Sequence, residues 1–418
     1  NKDIAVKDSK ILKIGELSEE AKEVYDAQNQ IVLPGCIDTQ THFREPGSTD
    51  TEDLHSGSRA AVAGGITAVF EMPNTNPPTS NIKEFQRKLD LARNRMYCNY
   101  AFYFGATAEN VNQLAELKDL EGCCGIKLFV GSSTGNLLVA LEEDIDKVFQ
   151  NCSKVVAVHS EDEEILNKNK RLIKNGDVHS HPVWRSEECA ISSTRRIVRI
   201  AKKYNKKAHV LHITTKQEID FLSQHKGNIT FEITPQHLTI YAPECYEKLG
   251  TYAQMNPPIR DKSHYDRLWY AVKNNLNDTI GSDHAPHLKV NKDKVYPDSP
   301  SGMPGVQTLM PVMLNHVNNG KLSLNRLITL VCENPINIFG IKNKGFIKEG
   351  YDADFTVVDM NKKIIIRNEN IESKCSWSPF NGVEFKGTPV ATIVSGKIKM
   401  KSGQILGKPE GSPLIFEN

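Results

Sequence analysis

This sequence of 418 residues predicts a TIM-type (β/α)₈ barrel joined to a small β-sandwich domain that is built from both chain ends. Two observations predict the barrel: eight short apolar runs alternate with helix-length stretches, and charged or polar residues follow seven of these runs. Short β-type segments near both ends predict the small domain. A doubly wound parallel sheet is the alternative for the middle of the chain.

Both ends of the chain contain short segments with the composition of β-strands. They lie at 4–6, 11–14, 354–358, 363–366, 391–394 and 396–398. Because such segments are too short to fold alone, we predict that they assemble into one domain. The predicted division is 1–32 for the N-terminal part of this domain, 33–340 for the barrel and 341–418 for the C-terminal part.

The middle of the chain supplies the predicted barrel strands, at 31–37, 66–72, 99–104, 125–130, 155–158, 208–211, 229–233 and 279–280. Helices are expected between them. The stretch 186–204 shows helical spacing, with one apolar face formed by Ala190, Ile191, Thr194, Ile197, Val198 and Ala201. The pair Gly64-Gly65 predicts the end of a helix, because glycine readily adopts the left-handed cap conformation.

Charge and cysteine content exclude several classes of protein. Lys and Arg number 52 and Asp and Glu 51, so neither nucleic acid nor an anionic membrane is an expected partner. No apolar run approaches the roughly 20 residues of a membrane helix. The nine cysteines form no C-x-x-C pair, which favours free thiols in a reducing cytoplasm over disulfides or a structural zinc site.

Metal-binding residue types stand at the ends of the predicted strands. His42 follows the first strand, His159 the fifth, His212 the sixth and Asp283 the eighth. A lone histidine in such a place is more often a hydrogen-bonded core residue. Because the strand ends of a barrel share one rim, three histidines and an aspartate there predict a metal site, and these ligands suit Zn²⁺ and similar ions.

Lys127 lies within an apolar strand, where an unpaired ammonium group is costly. One interpretation is a buried salt bridge. The other is a lysine carbamylated by CO₂, whose new carboxylate bridges two metal ions. The spacing of the residues does not distinguish the two.

The strand-end motifs, taken in order, resemble those of the dihydroorotases in the amidohydrolase superfamily. They read H-F-R-E-P-G, E-M-P-N-T-N-P-P-T, G-I-K-L-F, V-H-S-E, L-H-I-T, T-P-Q-H-L, M-N-P-P-I-R and S-D-H-A-P-H, and they run from about residue 33 to residue 337. Each motif is weakly specific by itself, and their common order makes the signal strong. The terminal β-domain, with G-Y-D-A-D at 350–354, also resembles this superfamily.

The resemblance implies a binuclear zinc centre, with one or two Zn²⁺ ions per chain. His42 and Asp283 are expected to bind the first metal, His159 and His212 the second, and carbamylated Lys127 to bridge them. Asp283 is also the expected general base and acid.

The resemblance also implies which residues hold the substrate: Arg44, Asn74, Asn256 and His287. The backbone at Pro304-Gly305 is expected to line the pyrimidine ring. The loop at 131–136 corresponds to a mobile lid in the family, so Ser133 and Thr134 are candidate substrate contacts.

One position departs from the family pattern. The family has H-x-H after the first strand, whereas this chain has Gln40-Thr41-His42. An amide oxygen is a weaker zinc ligand than imidazole, so Gln40 predicts a looser first metal site. The H-x-H that the chain does contain, at 179–181, lies in a polar loop and is expected to be a loop feature.

The implied reaction is the reversible, zinc-dependent cyclisation of N-carbamoyl-L-aspartate to (S)-dihydroorotate in pyrimidine synthesis in the cytoplasm. A small-molecule substrate is the expected partner, and the family implies a homodimer. Allantoinase and hydantoinase or dihydropyrimidinase are the alternatives, but their substrates lack the carboxylate that Arg44 and Asn74 suit. A catalytically silent homologue that associates with aspartate carbamoyltransferase is a further alternative, which only Gln40 favours.

Overall fold

The structure, a computed structural model, describes residues 2–133 and 137–417. Within these ranges the strands are β1 (Asp3–Lys7), β2 (Lys10–Gly15), β3 (Ile31–Pro34), β4 (Cys36–Thr41), β5 (Ile66–Glu71), β6 (Asn99–Gly105), β7 (Cys123–Phe129), β8 (Val156–His159), β9 (Ala208–Val210), β10 (Ile229–Ile233), β11 (Thr279–Ile280), β12 (Phe355–Ile365), β13 (Glu384–Val394), β14 (Lys397–Lys401) and β15 (Gln404–Ile405).

The helices lie mostly between the barrel strands. They are α1 (Leu54–Ala63), α2 (Ile82–Ala92), α3 (Glu142–Asn151), α4 (Glu163–Asn169), α5 (His181–Trp184), α6 (Glu187–Lys203), α7 (Lys216–Ser223), α8 (Glu244–Leu249), α9 (Lys262–Lys273), α10 (Lys289–Lys292), α11 (Leu309–Asn318), α12 (Leu324–Ile328) and α13 (Asn334–Phe339). In the described ranges no helix has the length and apolar character needed to cross a membrane.

Strands β4 to β11 form one parallel sheet in chain order. The sheet closes because Thr41 at the end of β4 pairs with His284 beyond β11. The His42 N–H also donates to the His284 carbonyl oxygen at 2.8 Å. The predicted (β/α)₈ barrel is therefore confirmed, and its closure brings all eight strand ends to one rim.

The two chain ends build the predicted small β-domain. Strand β3 pairs with β12, and the antiparallel order continues through β13, β14 and β15. The hairpin β1–β2 packs on this sheet through Ile11, which is buried against Ala353 and Phe355. The prediction of a β-domain assembled from both termini is confirmed.

The apolar run 31–37, predicted as one barrel strand, is two strands. Residues 31–34 form β3 in the small domain, and β4 of the barrel begins at Cys36. Both halves are apolar, so hydrophobic periodicity gives no sign of the break at Gly35. The division of the chain at residues 32 and 340 stays a prediction, and the strand pairing shows that the chain leaves the small sheet at Gly35.

Two smaller predictions about helices are confirmed. Helix α6 spans Glu187–Lys203, and the six residues of its predicted apolar face are buried. Ser186 caps its first turn by accepting a hydrogen bond from the Cys189 N–H. Gly65 follows α1 with φ +87°, the left-handed conformation expected of the Gly64-Gly65 pair.

All nine cysteines are free thiols and buried.

Gly35→Ala tests the close approach at the junction between the two domains. A Cβ there would lie 2.4 Å from Thr67 Oγ1 and 2.7 Å from Asp354 Cβ, so we expect the free energy of unfolding to fall by about 1–3 kcal/mol. Gly15→Ala is the matched control, because a Cβ at Gly15 meets nothing within 4 Å. Urea unfolding followed by circular dichroism measures both, and equal effects of the two substitutions would contradict the packing argument.

Candidate active site

The rim at the carboxyl ends of the barrel strands encloses a small polar cavity. It is lined by Gln40, His42, Arg44, Asn74, Lys127, Phe129, Ser133, His159, His212, Asn256, Asp283, Ala285, Ser301 and Gly302. Ten of the twelve site residues predicted from the sequence are in this set. Of the other two, His287 lies beside Arg44, with its Nε2 3.4 Å from Arg44 Nη2, and Thr134 falls outside the described residues.

Two histidines face each other at the ends of β8 and β9. His159 Nδ1 lies 3.1 Å from His212 Nε2, and both rings are buried. Burial lowers the pKa of both imidazoles, so they are neutral near pH 7. Two nitrogens bound to one tetrahedral zinc ion at about 2.0–2.1 Å are about 3.3 Å apart, so this pair fits a shared cation.

Glu161 sets which nitrogen of His159 faces the cavity. Its Oε2 accepts a hydrogen bond from His159 Nε2 at 2.9 Å, which leaves the lone pair of Nδ1 directed at His212. Arg185 in turn donates to both oxygens of Glu161, at 2.6–3.2 Å. Burial alone would raise the pKa of Glu161, but the Arg185 charge and the His159 contact hold it well below its usual range.

The sequence did not reveal the role of Arg185. It lies in the turn between α5 and α6, far along the chain from β8, and no local motif marks it. Its contact with Glu161 exists only because the chain returns over the rim.

A second group of donors lies across the cavity, at the ends of β4 and β11. His42 Nδ1 donates to Asn74 Oδ1 at 2.8 Å, so Nε2 carries the lone pair and lies 3.3 Å from Asp283 Oδ1. Gln40 Nε2 donates to the same Asp283 oxygen at 3.0 Å. Gln40 Oε1 is buried and has no hydrogen-bond partner among the described residues. An imidazole, a carboxylate and an amide oxygen thus form a weaker donor set than the two histidines opposite.

Asp283 is held in place through the neighbouring backbone. It adopts a left-handed conformation, with φ +44°, and burial raises the pKa of its carboxyl to about 7. Asp38 Oδ1 accepts hydrogen bonds from the Ser282 N–H at 2.9 Å and the Gln40 N–H at 3.2 Å. The Asp38 carboxylate therefore links β4 to the segment that follows β11, next to Gln40 and Asp283.

Lys127 reaches the cavity from β7 and is buried. Within residues 2–133 and 137–417, no carboxylate lies within ion-pair distance of its Nζ, so the salt bridge considered for it is not present there. Its Nζ lies 4.6 Å from the centre of the Phe129 ring. Burial lowers the pKa of the Lys127 ammonium to about 7, which favours the neutral amine that reacts with CO₂.

Arg44 forms the side of the cavity away from the histidine pair. Its Nε and Nη2 donate to the Pro286 carbonyl oxygen at 3.2 and 3.1 Å. Burial lowers the pKa of Arg44 to about 10, so the guanidinium remains charged at neutral pH. His287, which the resemblance implies to be a substrate-binding residue, lies beside Arg44 Nη2 at 3.4 Å and hydrogen-bonds to the Ser301 carbonyl oxygen. Its contact with substrate stays a prediction.

The H-x-H motif at 179–181 supports the site without joining the donor groups. His181 is buried, and its Nε2 lies 3.1 Å from Asn256 Oδ1 and 3.0 Å from the Met255 carbonyl oxygen. The Gly305 N–H donates to His284 Nδ1 at 3.1 Å, and the expectation that this backbone lines the substrate ring stays a prediction. Ser301 and Gly302 are part of the cavity lining.

The cavity has an open volume of about 20 Å³, enough for about one water molecule. The separations of 3.1 Å between His159 Nδ1 and His212 Nε2 and of 3.3 Å between His42 Nε2 and Asp283 Oδ1 fit ligands that share a metal cation.

Comparison with known proteins agrees with this arrangement. The amidohydrolase family matches residues 31–399. A dihydroorotase of Methanosphaera stadtmanae is 34% identical over 91% of this chain and 87% of its own length. A dihydroorotase of Pyrococcus furiosus is 33% identical over 99% of this chain and 92% of its own length.

Solved structures show the same fold. The L-hydantoinase (dihydropyrimidinase) of Arthrobacter aurescens superposes with a TM-score of 0.94 at 29% identity, covering 98% of this chain and 95% of that chain. The dihydropyrimidinase of Brevibacillus agri NCHU1002 gives a TM-score of 0.89 at 25% identity, with 98% and 94% covered. From the closed barrel, the strand-end donors and these matches, we conclude that the chain belongs to the amidohydrolase family and is a relative of its dihydroorotases.

Proposed function

We propose that the protein catalyses the dihydroorotase reaction, the reversible cyclisation of N-carbamoyl-L-aspartate to (S)-dihydroorotate with release of water. The observation that carries this proposal is Arg44, a buried and charged guanidinium on the wall of the cavity that holds the candidate metal ligands. A substrate with a carboxylate suits it, and both compounds carry one. The relatives named as dihydroorotases support the same conclusion.

The metal ligands belong to the proposal. His159 and His212 would hold one zinc ion, His42 and Asp283 with Gln40 the other, and carbamylated Lys127 would bridge them. Zinc supplies Lewis-acid polarisation of the amide carbonyl and activation of water. The histidines contribute by staying neutral, because only a neutral imidazole has a lone pair for a metal.

Asp283 carries the proton in both directions of the reaction. In ring opening it takes a proton from the attacking water and delivers it to the ring nitrogen that leaves. Gln40 Nε2 already hydrogen-bonds to Oδ1, so we assign the mobile proton to Oδ2. In ring closure the same carboxyl group works in reverse.

Arg44, Asn74 and Asn256 orient the substrate. All three line the cavity, with Arg44 placed to bind the carboxylate and the two amides to bind the edges of the ring. His287 and His181 act behind them, on Arg44 and Asn256 respectively. A guanidinium held by the Pro286 carbonyl oxygen is preorganised, so little conformational entropy is lost when substrate binds.

The second candidate is a hydantoinase or dihydropyrimidinase activity, favoured by the close superposition on the Arthrobacter aurescens L-hydantoinase. Allantoinase belongs to the same group. These enzymes act on rings without the carboxylate, so the buried charge of Arg44 favours dihydroorotase.

A homodimer and an association with aspartate carbamoyltransferase are further proposals. A silent homologue is disfavoured because the cavity keeps the full set of donors apart from the Gln40 difference.

Gln40→His tests the inequality of the two metal sites. After dialysis against a mild chelator, we expect the native protein to retain about one zinc ion per chain, because His159 and His212 are stronger ligands than Gln40. The variant should retain about two. Elemental analysis measures both, and Gln86→His, which adds a histidine to an exposed surface, is the control. Two ions held equally tightly by the native protein would contradict the asymmetry.

Lys127→Ala tests the carbamylated bridge. We expect the loss of measurable activity, partly restored by short carboxylic acids that occupy the space left by the side chain. Lys127→Arg is the matched control, because it keeps a cation, cannot be carbamylated and leaves no space for rescue. A crystal structure of the active, metal-loaded enzyme with an unmodified ammonium paired to a carboxylate would reject the bridge.

Arg44→Ala separates dihydroorotase from the related ring-opening activities. A charge-assisted bidentate contact contributes roughly 1.5–3 kcal/mol, so kcat/KM for dihydroorotate should fall by about one to two orders of magnitude. Activity on dihydrouracil, which lacks the carboxylate, should scarcely change. Arg93→Ala, at an exposed position, is the control. An equal loss on both substrates would favour the hydantoinase function.

A further inference from the structure

A cavity of about 270 Å³ lies at the opposite end of the barrel from the strand-end site. Asn99, the first residue of β6, lines it, whereas the active-site residues follow the carboxyl ends of the strands. Strand β6 has seven residues, so the two sites are separated by about 20 Å. The rest of its wall comes from the small β-domain and the C-terminal tail, and neither contributes to the active site.

Five lysines converge on this lysine cavity: Lys10, Lys342, Lys344, Lys397 and Lys399. Among the described residues, the lining includes two side-chain carboxylates, those of Asp352 and Glu410. The formal charge of the lining is therefore five positive against two negative, a surplus of +3. Asp354, which contacts Lys344 from behind the lining, reduces the surplus to +2.

The two lining carboxylates are each shared by two ammonium groups. Asp352 contacts Lys10 through Oδ1 and Lys344 through Oδ2, the latter at 2.9 Å. On the other side, Glu410 contacts Lys397 and Lys399, both at 2.7 Å. The shared contacts hold four ammonium groups in fixed positions around the cavity and leave their combined charge only partly compensated.

The charges persist at neutral pH. Burial alone would lower the pKa of Lys344, but Asp354 and Asp352 raise it above its ordinary value. Hydrogen bonds from Lys397 and Lys399 lower the pKa of Glu410 to about 2. Lys342 adds a further exposed ammonium that forms no ion pair with the described residues.

The structure assigns this lysine cavity to the binding of a multiply charged oxyanion, such as the phosphate group of a small molecule. Converging like charges repel one another in a concave site, and an anion with several oxygens relieves this repulsion. Ammonium groups donate strong charge-assisted hydrogen bonds to such oxygens. Ser9, Ser395 and Ser412 line the same cavity, and their hydroxyl groups are of the type that can donate to an oxyanion without adding charge.

The volume also suits this class of ligand. A water molecule takes about 30 Å³ in the liquid, so a cavity of about 270 Å³ admits a phosphate group together with a substituent. Inorganic phosphate, pyrophosphate and ribose 5-phosphate therefore share the chemistry that the site recognises. Tighter binding of the ester than of inorganic phosphate would identify a phosphorylated metabolite as the occupant.

The test is titration calorimetry of the metal-loaded protein with phosphate, pyrophosphate and ribose 5-phosphate, with acetate at the same ionic strength as the monovalent comparison. The informative variant is Lys342→Ala with Lys397→Ala. Both lysines are exposed, and the contacts of Lys10 and Lys344 with Asp352 and of Lys399 with Glu410 remain. The matched control is Lys362→Ala with Lys386→Ala, which removes the same charge from exposed positions on β12 and β13.

We expect pyrophosphate to bind the native protein and the control variant equally, and the Lys342 and Lys397 variant about tenfold or more weakly. Hydrolysis of dihydroorotate should be unchanged in both variants, because the lysine cavity lies away from the active site. The inference is overturned if no oxyanion binds better than acetate. It is equally overturned if both variants lose affinity alike, or if binding persists in the Lys342 and Lys397 variant and therefore occurs elsewhere, such as at the active-site metals.

Discussion

The first and last strands of the barrel are joined by the Asp38 carboxylate, which accepts the N–H groups of Gln40 and Ser282. His42 and His284 add a backbone contact one step further along. This closure fixes the positions of the other site residues around the cavity. Without it, the residues that follow β4 and β11 would lie on opposite edges of an open sheet, and the cavity would have no wall on that side.

Burial inside the closed rim has a second consequence, because each polar group there needs a defined partner. Glu161 fixes the orientation of His159, and Asn74 fixes that of His42. The same burial lowers the pKa of both histidines, so each presents a lone pair to the cavity instead of a proton. Burial thus keeps the imidazole nitrogens neutral, so that they can bind a cation, and it keeps bulk water out of the cavity.

The relation to the hydantoinases shows how one fold supports several ring-opening activities. Superposition at a TM-score of 0.94 covers nearly the whole chain, so the barrel itself does not choose the substrate. The choice depends on side chains at the rim. Arg44 adds a buried positive charge to this cavity, and in the proposed function this charge is the physical basis for preferring an acidic ring.

The sequence by itself determined the barrel and the small β-domain. Alternation of apolar runs with helical stretches depends on local patterning, and each of the eight predicted runs overlaps a strand of the barrel. It also placed the candidate metal ligands on one rim, because residues such as His159 lie at strand ends and strand ends of a barrel share one rim. The break at Gly35 was missed because both neighbouring strands are apolar, and only pairing with different sheets separates them.

Tertiary structure alone decided the supporting contacts. Arg185 donates to Glu161, and His287 lies 3.4 Å from Arg44, because the fold brings together loops that are far apart in the chain. The lysine cavity likewise joins segments from both chain ends, which have no common sequence motif. Contacts between residues far apart in the chain depend on how loops pack, and hydrophobic patterning holds no information about that packing.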